Sequence, residues 1–235
     1  MAVFTRSCSI SWPAKPPQRN NCAACSVLPS ARGQISFCDS GFVMLTAKKI
    51  TAIDSVYFSA VDALYVKAFP WHEQRELAAK QQALRDPHYA LEAWFDGDLF
   101  IGLSGCWQFT GYSYIEHLAI DDTLRSRGYG KRLLAGILER APLTILEIDP
   151  LTSDIAHKRL RFYETMGFSA SSWPHTHPTY HAGIADHELL VLGYPQAVDE
   201  AQYRRFAEDL RQVVMAQAGC PGPTRWPQPG AGLRR

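Results

Sequence analysis

The 235-residue chain has no long apolar run and no excess of charge of either sign. No stretch approaches the roughly 18 apolar residues of a membrane-spanning helix, and the N-terminus lacks the continuous apolar core of a secretory signal. Lys and Arg number 24 against 23 Asp and Glu, so the chain has no long-range field for wrapping nucleic acid. We therefore expect a cytoplasmic protein that binds neither membranes nor nucleic acid.

Cysteine is scarce in the part of the chain that has regular hydrophobic patterning. Of six cysteines, only Cys106 lies there. Near the N-terminus, Cys22 and Cys25 are flanked by Cys8 and Cys38, a set that could form a four-thiolate zinc site. The outer two do not form a second close pair, however, and the surrounding segment is rich in Pro, Asn and Ser without periodicity. We therefore expect no zinc in this segment.

The two ends of the chain differ in composition from its middle. Residues 1–43 have no periodic pattern, and residues 218–235 are rich in Gly and Pro. Residues 44–217 are well patterned, and a chain with 46% hydrophobic residues can form one domain with a sizeable core. The sequence therefore predicts one domain at 44–217 between two disordered tails. The alternative is that residues 1–43 form an interaction or zinc module.

Strand and helix patterns alternate within this domain. Strands are predicted at 44–50, 113–120, 143–148 and 187–194, together with a hairpin over 89–109 that turns at Asp96-Gly97. Helices are predicted at 54–68, 72–85, 128–141, 154–168 and 199–216. The strand–helix–strand order over 113–148 indicates a parallel crossover, so we expect a mixed α/β sheet.

The stretch "LRSRGYGKRLL" (124–134) places two glycines, Gly128 and Gly130, among basic residues where a strand leads into a helix. The first amides of a helix have no intrahelical partner, and the helix dipole adds partial positive charge there. Glycine lets an anion approach those amides closely. The pattern is neither Gly-x-Gly-x-x-Gly nor a Walker A loop. It therefore predicts a pyrophosphate site of another type.

Two motifs together resemble the GNAT superfamily of acyl-CoA-dependent N-acetyltransferases. The first is Arg125-x-x-Gly128-x-Gly130 after a strand, and the second is "RFYETMGF" (161–168), with an apolar strand between them. The resemblance covers roughly residues 44–195. It implies an α/β (α+β) GNAT fold, in which a mixed central sheet with splayed middle strands is flanked by helices. It also implies transfer of an acetyl group from acetyl-CoA, as cosubstrate, to a primary amine by direct attack.

The resemblance assigns the CoA contacts. The pantetheine arm would pair with the backbone of one strand, at Leu118, Ala119 and Ile120. The pyrophosphate would contact the following loop, at Arg125, Ser126, Arg127, Gly128, Tyr129, Gly130 and Lys131. Strand 143–148 would splay from strand 113–120 to admit the thioester. Many members carry Asn seven residues before the signature Tyr, and Ala156 stands there in this chain.

The resemblance also suggests the groups that move protons. Tyr163 matches the family's general acid, which protonates the departing thiolate. Glu116 and His117 compete for the role of base. On a strand their side chains point to opposite faces, so only one of them can line the cleft. Glu116 shares its face with Tyr114, Leu118 and Ile120, which is the parity of the catalytic carboxylate in relatives that place one on this strand. We therefore predict that Glu116 acts as base or positions a water, while His117 packs under a helix.

The acceptor side is expected near "FPWHEQRE" and "WPHTHPTYH". The predicted acceptor-binding residues are Trp71, His72, His177 and Tyr180. Three histidines in the second stretch also suggest a metal, but no carboxylate lies nearby in sequence and the superfamily needs no metal. We expect no metal, and an acceptor that is a small-molecule amine or a peptide. A monomer or homodimer is expected, and a non-catalytic CoA-binding sensor or regulatory module is the alternative function.

Overall fold

A computed structural model describes residues 44–218, so both predicted tails, with the cysteine cluster, lie outside the described residues. A seven-stranded sheet has the order β1-β2-β3-β4-β5-β9-β6, and β7 and β8 form a separate pair. The strands are β1 Thr46–Ile50, β2 Tyr89–Asp96, β3 Leu99–Phe109, β4 Tyr112–Ile120, β5 Thr144–Ile148, β6 Ser169–Ala170, β7 Thr176–His177, β8 His187–Glu188 and β9 Leu190–Tyr194. Among the strands of residues 44–218, only β4 and β5 pair in parallel, so the predicted mixed sheet is confirmed.

Helices cover both faces of this sheet. They are α1 Phe58–Ala68, α2 Leu77–Arg85, α3 Tyr129–Leu138, α4 Asp154–Thr165 and α5 Glu200–Asp209. Two apolar cores result: one lies between the sheet and α1, α2 and α5, and we call this side the α1 face. The other core lies on the α3 and α4 side, which we call the α3 face. Within residues 44–218, no helix is both long and apolar enough to cross a membrane.

Most predicted elements are present, with different ends. The predicted helix at 72–85 is a 3₁₀ turn at Trp71–Glu73 followed by α2, because the backbone is extended at Gln74 and Glu76. The predicted strand at 187–194 is two strands, interrupted at Leu189. The helix predicted at 199–216 continues past α5 as one π-helical and one 3₁₀ segment, ending at Ala218. The two-residue strands β6 and β7 were not predicted.

The strands β4 and β5 separate along their length. Their parallel pairing runs from Ser113 opposite Thr144 to Ile115 opposite Leu146, and then ends. On its other edge, β4 stays paired with β3 as far as Ile120. The last part of β4 therefore has one backbone edge that is not used by β5. The resemblance implies this splay, and the strand register shows it.

A β-bulge in β4 changes the direction of its side chains. His117 pairs with Gly105 and Ile115 with Cys106, so Glu116 has no partner of its own in β3. An extra residue in one strand breaks the alternation of faces. Glu116 and His117 consequently both lie on the α1 face, whereas Leu118 packs into the α3-face core. The prediction that these two neighbours lie on opposite faces is wrong, as is the shared face of Glu116 and Leu118.

Candidate active site

The loop between β4 and α3 has the backbone geometry of an anion site. Gly128 caps α3 with φ 82°, and Ser126 also has a positive φ of 63°. A Cβ built on Gly128 would meet no atom within 4 Å, so this glycine is required by its backbone conformation and not by crowding. A Cβ on Gly130 would meet only ordinary contacts, the nearest being Phe162 at 3.6 Å. The start of α3 is therefore open to a ligand.

The basic side chains of this loop divide into two groups. Arg132 is held by the β2–β3 hairpin through Asp96 at 2.9 Å, which also accepts a hydrogen bond from Tyr129 at 3.0 Å. Arg127 and Lys131 are exposed at the start of α3. Two exposed cations next to unpaired helix amides suit a phosphate group. The predicted pyrophosphate residues, Arg125 to Lys131, thus lie in this loop and in the first turn of α3.

Tyr163 lies on α4 in the α3-face core and is fully buried. Its hydroxyl has no hydrogen-bond partner among residues 44–218. Burial raises the pKa of Tyr163, although the charge of Arg159 opposes the rise. The phenol therefore keeps its proton at neutral pH. An unpaired buried hydroxyl costs stability unless a ligand satisfies it, so Tyr163 is available as a donor.

Glu116 is the centre of a buried polar network on the α1 face. Arg75 donates to Glu116 Oε1 from Nε at 3.0 Å and from Nη2 at 2.6 Å. Tyr180 donates to the same oxygen at 2.8 Å, and Trp107 Nε1 donates to Oε2 at 2.8 Å. The Arg75 guanidinium also lies over the rings of Trp107 and Tyr180. Sequence reasoning missed Arg75 as the partner of Glu116 because 41 residues separate them.

This network keeps Glu116 ionised. Burial alone would raise the pKa of its carboxyl, but the charges of Arg75 and His117 hold that pKa well below its usual value. A carboxylate that already accepts four hydrogen bonds and has a low pKa is a weak base. The geometry therefore favours a positioning role for Glu116 over direct proton abstraction.

His117 is fully buried under α1, beside Tyr65 and Phe69, as predicted for a residue packed under a helix. Its Nε2 lies 3.2 Å from the backbone carbonyl of Glu73 and 3.2 Å from the Tyr65 hydroxyl. Nδ1 has no hydrogen-bond partner among the described residues and lies 3.6 Å from Glu116 Oε2. Burial lowers the pKa of His117, and Glu116 only partly offsets this.

Two of the four predicted acceptor residues, Tyr180 and His177, lie at this network. Tyr180 contacts Glu116 directly, and the ring of His177 lies 5.3 Å from the ring of Tyr180. Trp71 is 61% exposed and stacks on His181 at 3.8 Å. His177 is buried, and burial lowers its pKa to about 4 despite the nearby charge of Glu147. The structure thus places Tyr180 and His177 at the network, whereas Trp71 stacks on His181 and His72 lies beside Glu73.

Glu147 is a second buried carboxylate that sequence reasoning did not select. It lies on β5, immediately after the last residue paired with β4. His175 contacts it, and Tyr114 donates to it at 2.6 Å. Burial would raise the pKa of Glu147, but the charges of His177 and His175 lower it. A glutamate inside the apolar strand pattern "LTILEI" is the sequence feature that could have pointed to a buried carboxylate here.

Within residues 44–218, the side chains of His72, Glu73 and His187 each bring one possible metal-ligand atom within 4.8 Å of the others. His72 also lies 3.5 Å from the Glu73 carboxylate, and His187 lies 3.8 Å from Asp149. Pairing of His72 with Glu73 and of His187 with Asp149 accounts for this cluster without a metal ion. We therefore assign no cation to them.

Comparison with known proteins identifies the domain. The sequence profile of the Acetyltransferase (GNAT) family matches residues 58–168. A solved structure of a protein assigned to the GNAT family, from Bacteroides thetaiotaomicron, is 28% identical, with a TM-score of 0.68 over 72% of this chain and 98% of that chain. A search of curated protein sequences found no match.

Two other solved structures are more distant. The ribosomal-protein-S18-alanine N-acetyltransferase of Escherichia coli is 14% identical, with a TM-score of 0.44 over 64% of this chain and 92% of that one. Arabidopsis thaliana Naa50, in complex with the bisubstrate analogue CoA-Ac-MVNAL, is 16% identical, with a TM-score of 0.45 over 64% of this chain and 98% of that chain. Neither bears on the function of this chain. The family profile over residues 58–168, with the fold shared with the Bacteroides protein, identifies this domain as a GNAT acetyltransferase domain.

Proposed function

We propose that the protein transfers an acetyl group from acetyl-CoA to a primary amine of a small molecule or peptide. The observation that carries the proposal is the separation of β4 from β5 beyond Ile115 and Leu146, next to the glycine loop that begins α3. The free edge of β4 at Leu118–Ile120 would pair with the pantetheine arm. The pyrophosphate would contact the amides from Arg125 to Lys131.

Tyr163 is proposed as the general acid. Its buried hydroxyl keeps its proton and has no partner among the described residues, so it can donate to the departing thiolate of CoA. Glu116 is proposed to position groups by holding Arg75, Trp107 and Tyr180. On the acceptor side, Trp71, His72, His177 and Tyr180 are proposed to contact the amine-bearing substrate.

The test measures thiol release from acetyl-CoA over a panel of amines, polyamines, amino acids, aminoglycosides and a lysine peptide. Release that depends on one amine class would support the proposal and identify the acceptor class. CoA should also stabilise the protein by about 2.7 kcal/mol at a hundredfold excess over Kd. Stabilisation without release for any amine would instead favour a CoA-binding sensor or regulatory module.

The change Tyr163→Phe tests the acid. Removing a hydroxyl that has no partner should leave the melting temperature unchanged or raised, because no hydrogen bond to a described residue is lost. CoA stabilisation should persist, while kcat falls on the order of 10²-fold, the usual effect of a lost general acid. An unchanged kcat would remove Tyr163 from the mechanism.

A further inference from the structure

The imidazole ring of His177 has one nitrogen that is paired and one that is not. Nδ1 lies 2.6 Å from the backbone carbonyl of Pro178, and a carbonyl only accepts, so Nδ1 carries the hydrogen. Nε2 therefore has a lone pair, and it is buried without a hydrogen-bond partner among residues 44–218. A buried acceptor without a partner costs stability, which a ligand that donates to it would recover.

The surroundings of His177 place it where β4 and β5 separate. Glu116 of β4 and Glu147 of β5 are the first residues of the two strands beyond their parallel pairing, and both are fully buried. Of the charges near His177, that of Glu147 acts on it most strongly. On the side of β4, the ring of Tyr180 lies 5.3 Å from the ring of His177, and its hydroxyl donates to Glu116. His177 is therefore close to both strands on the α1 face, at the opening proposed for the thioester.

The state of the ring and of its neighbours limits what Nε2 can bind. Tyr180 donates its hydrogen to Glu116, and Tyr114 donates its hydrogen to Glu147, so neither hydroxyl supplies a hydrogen to His177. Burial lowers the pKa of His177 to about 4, although the charge of Glu147 opposes this, so the ring is neutral at pH 7. A neutral ring with its hydrogen on Nδ1 can only accept at Nε2. This atom therefore suits a group that bears an N–H, and it disfavours a carboxylate or a carbonyl.

We infer that His177 Nε2 accepts a hydrogen bond from an N–H of the acceptor amine, and that it selects acceptors that present a hydrogen-bond donor at this point. The inference rests on the proposed acetyl transfer and gives one atom of the acceptor side a defined role. The hydrogen bond uses a hydrogen of the amine, so the lone pair of a neutral amine stays available to the thioester carbon. Tyr163 on the α3 face thus offers a donor to the departing thiolate, and His177 on the α1 face offers an acceptor to the incoming amine.

Two substitutions of His177 separate the roles of its two ring nitrogens. Asparagine can keep a donor for the Pro178 carbonyl but has no atom at the position of Nε2, whereas glutamine places an accepting oxygen there and loses the donor. His177→Asn should raise the KM for the panel amine that the wild type acetylates about 3- to 10-fold, the effect of one uncharged hydrogen bond, and leave the KM for acetyl-CoA unchanged. His177→Gln should stay close to the wild type. A purely structural role through the Pro178 carbonyl predicts the opposite order of the two variants.

A matched control is available on α4. Nδ1 of His157 also contacts a backbone carbonyl, that of Ser153 at 2.9 Å, but this side chain is exposed. His157→Asn should therefore leave both KM values unchanged.

A second readout needs no variant. Imidazole ¹⁵N NMR of the wild-type protein should show the Nδ1–H tautomer of His177. Its Nε2 resonance should move upfield when the acetylated amine is added with CoA in place of acetyl-CoA, because the nitrogen then gains a hydrogen bond. An Nε2–H tautomer, or an Nε2 resonance that does not respond to the amine, would contradict the inference.

The outcomes separate this inference from the proposed function. Wild-type transfer together with an unchanged KM for the amine in His177→Asn would overturn the role of His177 and leave the acetyltransferase standing. Absence of wild-type transfer with every amine, despite stabilisation by CoA, would overturn both.

Discussion

Replacing Arg75 by Met tests whether Glu116 is a buried anion that depends on the Arg75 guanidinium. Arg75 is 3% exposed and Glu116 is 0% exposed, and two hydrogen bonds join them. Methionine fills a similar volume but has no charge. The change leaves the Glu116 carboxylate buried without its guanidinium partner, while Trp107 and Tyr180 still donate to it, and it also removes the hydrogen bond from Arg75 Nη2 to the Val214 carbonyl at 2.9 Å.

The expected loss of unfolding free energy at pH 7 is about 3–5 kcal/mol, the usual cost of removing one partner from a buried ion pair. In the wild type, Glu116 has a lowered pKa, so its contribution is present above the ordinary carboxyl pKa of 4.5 and is lost as the pH falls toward the folded value. Without Arg75, burial raises the pKa of Glu116. The variant should therefore regain stability as the pH falls from that raised pKa to 4.5, and below 4.5 the wild type loses its own contribution, so the difference between the two proteins narrows over the whole range.

Urea unfolding of both proteins at pH 7 and at pH 4 measures this difference. The gap between them should narrow at the lower pH, and a second change, Glu116→Gln, should recover part of the loss at pH 7. The reasoning is refuted if Arg75→Met costs under about 1 kcal/mol, the range of exposed ion pairs. It is equally refuted if the gap is the same at both pH values.

Two further predictions concern the glycine loop and the pH dependence of stability. Gly128→Ala should lower the free energy of unfolding by about 1 kcal/mol or more, because Gly128 has φ 82°, and it should also raise the KM for acetyl-CoA. Gly111, with φ 88° in a hairpin turn, is the control: Gly111→Ala should lower the free energy of unfolding by a similar amount and leave that KM unchanged. The contribution of His177 should lower the free energy of unfolding by about 3 kcal/mol as the pH falls from 6.5 to about 4, because unfolded His177 binds a proton in this range and folded His177 does not. His177→Asn should flatten that dependence in urea titrations, and an unchanged slope would refute the assignment.

Local pattern was sufficient for most of the fold. The hairpin at Asp96-Gly97, the strand before Arg125 and the Gly167 end of α4 could be predicted because turn residues and hydrophobic periodicity act over short distances. Gly167 does have a positive φ of 91°. The two-residue strands β6 and β7 could not be predicted, since so few residues show no periodicity.

The candidate site depends more on contacts between distant segments. The loop from Arg125 to Lys131 was predictable because the motif is continuous in sequence. The β-bulge at Glu116 could not be predicted, because an alternating pattern contains no sign of an extra residue. Which of Glu116 and His117 faces α1 depended on that bulge, and both do. The contact between Arg75 and Glu116 joins residues 41 positions apart, and no local rule predicts it.

Acetyl-CoA with an isotopic label in its acetyl group tests the central claim most directly. Incubated with the purified protein and each member of the amine panel, it should yield one amine class that carries the label, at a rate that falls on the order of 10²-fold in Tyr163→Phe. Label that stays on CoA with every amine, while CoA still raises the melting temperature, would contradict the account.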